Sequence, residues 1–148
     1  MAAKLSLPIL LGAFGVLCAT GTAYAATVVA LGASNTFGKG VSRSQCYPAQ
    51  LETPDTTGGM LARLDRVVPK GTSVVILQPG ANDLRKQATD NTPAIQSRLS
   101  AMGIKVVMLS NGMLHGLPHQ PDGQHLTPEG YHILAEELVG QVAAALRR

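Results

Sequence analysis

A chain of 148 residues that is 45% hydrophobic and 14% charged has room for one hydrophobic core, which excludes a multidomain architecture. Its formal net charge of +3 comes from basic residues scattered along the chain apart from the Arg147-Arg148 end, so no basic patch marks it as a nucleic-acid binder. Internal repeats, low-complexity tracts and interdomain linkers are absent.

The first predicted element is a leader over residues 1–25. Lys4 precedes an apolar stretch from Leu5 to Cys18, and small and polar residues follow, ending in Ala23-Tyr24-Ala25. That order reads as a signal peptide cut after Ala25. Gly12, Gly15 and Gly21 interrupt the stretch, and its apolar core falls short of the roughly 20 residues of a membrane-spanning helix, so no stable membrane anchor is expected. A lipoprotein signal at Cys18 is weaker still, because Leu17 stands where a small residue is wanted. Export would place the 26–148 domain in the periplasm or outside the cell. Cleavage leaves 123 residues with a formal charge of +2, and Cys46 as the one remaining cysteine. No internal disulfide is then available, and Cys46 reads as a small packed residue.

The domain opens with a β-branched apolar run that breaks off at a glycine: Ala26-Thr-Val-Val-Ala-Leu-Gly-Ala-Ser34-Asn-Thr36. This predicts a buried strand emptying into a polar loop, with Ser34 at the carboxyl end where open α/β sheets bind ligands. A helix-like stretch covers 47–52, and helical periodicity resumes over 59–68, with Gly58 and Gly59 at its start. Thr72 to Pro79 predicts a second buried strand, opening into Gly80-Ala81-Asn82-Asp83. A helix is predicted over 92–102, capped by Gly103, and a third strand over 104–109. Thr127, Pro128 and Glu129 have the order of an N-cap, a proline at the first helical position and an early acidic residue. The helix they start runs to about 146, with Leu134, Leu138, Val142 and Leu146 four apart on one apolar face. Strands joined by helices in this alternation predict a three-layer α/β/α sandwich with a parallel sheet.

Three of these loops carry chemistry. Asp122 and His125 lie three residues apart just before a helix, a rigid setting for an acid-base pair. With Ser34 they give the order serine, acid, histidine of sheet-based hydrolases. Asn82, at the end of the second strand, would face the same sheet edge as Ser34, where an amide can donate to an oxyanion. Each has a plainer use: Ser34 as a turn cap, Asn82 satisfying loop backbone, Asp122 as the turn residue of Pro-Asp-Gly. A second reading takes His115, His119 and His125 with Asp122 as metal ligands. Their spacing is not diagnostic, since His115 and His119 lie in a Gly- and Pro-containing loop; solvated histidines at a substrate mouth are the alternative. His132, on the last helix, is expected to be exposed.

Gly-Ala-Ser-Asn-Thr (32–36), Gly-Ala-Asn-Asp (80–83) and Asp-Gly-Gln-His-Leu-Thr-Pro-Glu-Gly-Tyr (122–131) together resemble the first, third and fifth sequence blocks of the SGNH (GDSL-like) hydrolase family, closest to its periplasmic arylesterase and thioesterase/lysophospholipase branch. The resemblance spans nearly all of the 26–148 domain. It implies a flavodoxin-like SGNH fold, with Ser34 as nucleophile, His125 as base, Asp122 orienting His125, and the Ser34 amide and Asn82 as oxyanion donors. A small-molecule acyl ester or thioester is the implied substrate, with no cofactor and no metal. Two departures stand out. Ala33 replaces the usual acidic residue before the serine. Between the 47–52 stretch and Thr56 there are only Thr53, Pro54 and Asp55, where the second block, with a strand beside the catalytic one and a glycine donor, would belong. The sheet is therefore expected to be reduced by one strand. The shortening leaves a second reading open, a catalytically impaired or inactive relative that binds acyl or glycan ligands, and an unpaired sheet edge would favour association. Acyl-chain length, leaving group and oligomeric state are not encoded in these motifs.

Overall fold

A computed structural model describes residues 26–45 and 56–148. The leader, Cys46 and the helix expected over 47–52 lie outside the described residues. Strand β1 (Thr27–Leu31) is followed by a single helical turn, α1 (Ser34–Phe37), and later by α2 (Thr57–Val67), β2 (Thr72–Leu77), α3 (Ala81–Lys86), α4 (Thr92–Ala101), β3 (Lys105–Met108) and the long α5 (Pro128–Leu146). Short 3-10 turns cover Arg43–Gln45 and Asn111–Leu114.

Among the described residues the three strands are parallel, in the order β1-β2-β3. Val75 pairs with Val29 on one side and Val106 on the other. β2 is the central strand, and five of its six residues are buried, as a strand covered on both faces must be. Alternation divides its side chains between two cores. Val74 and Ile76 join Ala30, Val107, Tyr131, Leu134 and Leu138, so α5 covers that face. Val75 and Leu77 join Leu31, Met60, Leu64, Ile95 and Leu99, so α2 and α4 cover the other. The result is a mixed α/β arrangement in layers, with the sheet in the middle. Each fully buried leucine contributes about 1.5–3 kcal/mol of transfer free energy, which makes these two clusters the main stabilising feature. The exposed Arg98–Asp65 ion pair between α4 and α2 adds little by comparison.

The helix ends follow local chemistry. Thr56 caps α2 by accepting from the Gly59 N–H at 3.2 Å, so Gly58 and Gly59 belong to its first turn. Thr127 caps α5 in the same way through Gly130, with Pro128 at the first position. Gly103, after α4, has φ +74, the left-handed conformation a side chain disfavours. β2 stops at Leu77, just before Gln78 and Pro79, since proline has no N–H for a ladder. Three expectations needed adjustment. Gly80-Ala81-Asn82-Asp83 leads into α3 instead of a plain loop. The third strand is shorter than 104–109. Leu146 is 44% exposed, although Leu134 and Leu138 on the same spacing are buried.

Candidate active site

The carboxyl ends of β1 and β2 are locked together. Beyond the ladder, the Gln78 N–H donates to the Leu31 carbonyl at 2.8 Å, and the Thr36 hydroxyl donates to Gln78 Oε1 at 2.6 Å, with both side chains buried. Gly32 makes this closeness feasible: a Cβ there would lie 2.1 Å from Thr36 Oγ1 and 2.8 Å from Gln78 Cβ. The chain leaves β1, turns at Ala33 and starts α1 at Ser34. Ser34 is thus presented half-buried at the sheet's carboxyl edge. Because it occupies the first helical position, its N–H has no acceptor within α1.

The histidine comes from a loop folded back on itself. The Gln120 N–H donates to the His125 carbonyl at 2.7 Å, and the Thr127 N–H to the Pro118 carbonyl at 3.0 Å. Gly123 closes the tip by donating to the Gln120 carbonyl at 2.9 Å. Asp122 Oδ1 accepts from the Gln124 and His125 N–H groups at 2.9 and 3.0 Å, an Asx-type turn. Its Oδ2 stands 2.5 Å from His125 Nδ1, and His125 Nε2 is 2.9 Å from Ser34 Oγ. Ser34, Asp122 and His125 therefore form one hydrogen-bonded chain. The His125 side chain is 8% exposed and that of Asp122 44%, so the imidazole is shielded while the carboxylate keeps contact with water. The hydrogen bond to the His125 ring, followed by those from the His125 and Gln124 amides, holds the Asp122 carboxyl well below the usual carboxylate range. Asp122 is thus a fixed negative charge that selects the His125 tautomer with a proton on Nδ1, leaving Nε2 free to accept from Ser34.

Asn82 occupies the second position of α3, at the end of the strand paired with β1, and is half-buried. The next residue, Asp83, is buried and accepts from the Thr57 N–H at 2.9 Å, tying α3 to the start of α2. The Gly59 N–H is bound to the Thr56 side-chain oxygen. His115 is exposed, His119 Nδ1 faces the Leu117 carbonyl at 2.6 Å, and His132 is exposed beside Glu136. No group of three His, Cys, Asp or Glu among the described residues is placed to hold a metal ion. No helix among them is long and apolar enough to cross a membrane.

Sequence reasoning missed the amides around the site, of which those of Asn35 and Gln78 are buried. Asn35, Gln78 and Gln120 all bond across the fold; the one local signal was an amide directly after Ser34. Comparison with protein-family models, curated proteins and solved structures finds no match for this chain.

Proposed function

We propose that the protein is a serine esterase of the SGNH type, with a flavodoxin-like fold reduced by one strand, hydrolysing small or single-chain acyl esters or thioesters. The observation that carries this reading is the unbroken sequence of contacts from Asp122 through His125 to Ser34, 2.5 Å and then 2.9 Å, at the carboxyl edge of a parallel sheet. A serine used only to cap a turn has no need of an imidazole whose far nitrogen is held by a carboxylate. In the reaction, Ser34 Oγ attacks the carbonyl carbon while His125 Nε2 takes its proton. The Ser34 N–H and Asn82 stabilise the oxyanion, each donor worth about 3–4 kcal/mol of barrier. Collapse expels the alcohol or thiol, which takes the proton from His125. Water, deprotonated by the same nitrogen, then attacks the acyl carbon, and Ser34 Oγ leaves with that proton from His125, releasing the acyl group as the acid. Asp122 stays ionised throughout and fixes the imidazole. The reading includes export by the 1–25 leader to the periplasm or beyond.

The test is intact-mass analysis after treatment with a serine-directed fluorophosphonate, with Ser34→Ala alongside. One adduct on the parent chain and none on the variant is expected. A folded parent chain that takes no adduct would sink the esterase reading in favour of an impaired relative that binds acyl or glycan ligands, the reading motivated by the short segment ahead of α2.

A further inference from the structure

Asp122 and His125 sit in one turn, and the hydrogen bonds between them lie within it. Ser34 belongs to another segment, 91 positions away, and something must hold the two together. The structure shows two carboxamides at that seam. Asn35 Nδ2 donates to the Gln124 carbonyl at 2.9 Å. Its Oδ1 accepts from the Leu126 N–H and from the Tyr131 hydroxyl, both at 3.2 Å. Gln124 and Leu126 are the residues on either side of His125. One side chain adjacent to the nucleophile thus grips the histidine's backbone from both sides, in a setting where Asn35, Leu126 and Tyr131 are all buried. Gln120 reinforces the seam: its Nε2 donates to the Leu126 carbonyl at 2.8 Å and to the Lys39 carbonyl at 2.9 Å. It lies so close over the chain that a Cβ at Gly40 would come 2.3 Å from its Oε1.

We propose that Asn35 is a positioning residue for the reaction, its carboxamide, with that of Gln120, holding the histidine loop against α1 so that His125 Nε2 stays on Ser34 Oγ. This rests on the serine-esterase reading of the same site. The job needs a donor and an acceptor on one short planar group. Aspartate keeps the acceptor and loses the donor to Gln124; leucine fills the space with neither and leaves buried polar groups unpaired. Proximity makes the arrangement matter, because a displacement of about 1 Å between reacting groups can cost about 100-fold in rate. The device acts only between segments, so its loss separates Ser34 from His125 while leaving Asp122 with His125.

The test compares Asn35→Ala and Asn35→Asp with the parent chain by the rate of fluorophosphonate adduct formation against pH, and by proton NMR of His125. In Asn35→Ala, labelling slows about 100-fold with an unchanged pH of half-maximal rate. The low-field Nδ1 proton shared with Asp122 persists, and the cross-peak between the His125 ring and the Ser34 β protons disappears. Asn35→Asp does not restore the parental rate, because an ionised carboxylate has no donor for the Gln124 carbonyl. Parental labelling in Asn35→Ala overturns the proposal, and so does loss of the low-field proton together with the adduct, which marks a general structural role. A parent chain that takes no adduct removes the esterase reading alone. The cross-peak then decides: its survival in Asn35→Ala overturns the positioning role, and its loss there upholds it.

Discussion

Asp122 and His125 face one another inside a single turn: Oδ2 of the first lies 2.5 Å from Nδ1 of the second, while Oδ1 accepts the backbone N–H of that same histidine at 3.0 Å. The carboxylate therefore orients both the ring and the backbone that carries it. The unit is local, and it needs only Ser34 to become a proton-transfer chain.

Asp122→Asn would place a donor where Nδ1 now donates. The ring would turn over to the tautomer with hydrogen on Nε2, which cannot accept from Ser34. Turnover of an activated ester such as 4-nitrophenyl acetate should fall by about 10,000-fold with the fold retained. A loss smaller than about tenfold would remove Asp122 from the mechanism.

The same carboxylate gives a pH signature in stability. Its folded pKa is depressed, so its contribution is fully present above the unfolded value of about 3.9 and is lost as pH falls below that value toward the folded one. The melting temperature of the parent chain should exceed that of Asp122→Asn at pH 6, and the difference should shrink steadily below about pH 4. A constant difference across that range would show that the turn's hydrogen bonds do not depend on the charge.

Neighbouring residues on α3 should fail in different ways. Asn82→Ala should lower kcat about 100- to 1000-fold with little change in melting, as expected of an oxyanion donor. Asp83→Ala leaves the buried Thr57 N–H without its acceptor at the start of a helix, where a negative charge is also favoured. It should cost about 1–3 kcal/mol of stability, read by urea denaturation. If Asn82→Ala instead lowers the melting temperature and leaves kcat unchanged, the donor role is wrong.

Gly32→Ala tests the lock between β1 and β2. The added Cβ would overlap Thr36 Oγ1, so either the Thr36–Gln78 bond breaks or the turn carrying Ser34 moves. Overpacking of this kind costs about 1–3 kcal/mol, and a lowered urea midpoint with an unchanged slope would report it. An unchanged midpoint would mean that the turn yields without cost.

Much of the frame was legible because its causes are local. β-branched runs marked β1 and β2, and the Thr127-Pro128 pair set the start of α5 to the residue. Ser34, Asp122 and His125, which the structure brings into contact, stood out by their positions at element ends. The misses have longer-range causes. Nothing near Asn35 in the chain announces Gln124 as its partner, 89 positions away. The Thr36–Gln78 bond likewise exists only because β1 and β2 are neighbours. α3 was hidden because Gly80 supplies no side-chain cap. The exposure of Leu146 follows from length: a 19-residue helix is about 28 Å long, whereas a strand of six residues spans about 20 Å, so the last turn overruns the sheet it covers.

The seam between Ser34 and the histidine loop also orders events in time. Bringing two groups together across a separation of 91 positions costs about 4 kcal/mol of chain entropy beyond a constant term, and no local contact compensates for it. Formation of the sheet and packing of α5 on it are therefore expected to precede the meeting of Asn35 with Gln124 and Leu126. A folding chain would then hold the Asp122–His125 pair before it brings Ser34 to it. On the esterase reading, reactivity at Ser34 is for that reason a late signal, one that reports completion of the fold more strictly than helix content does.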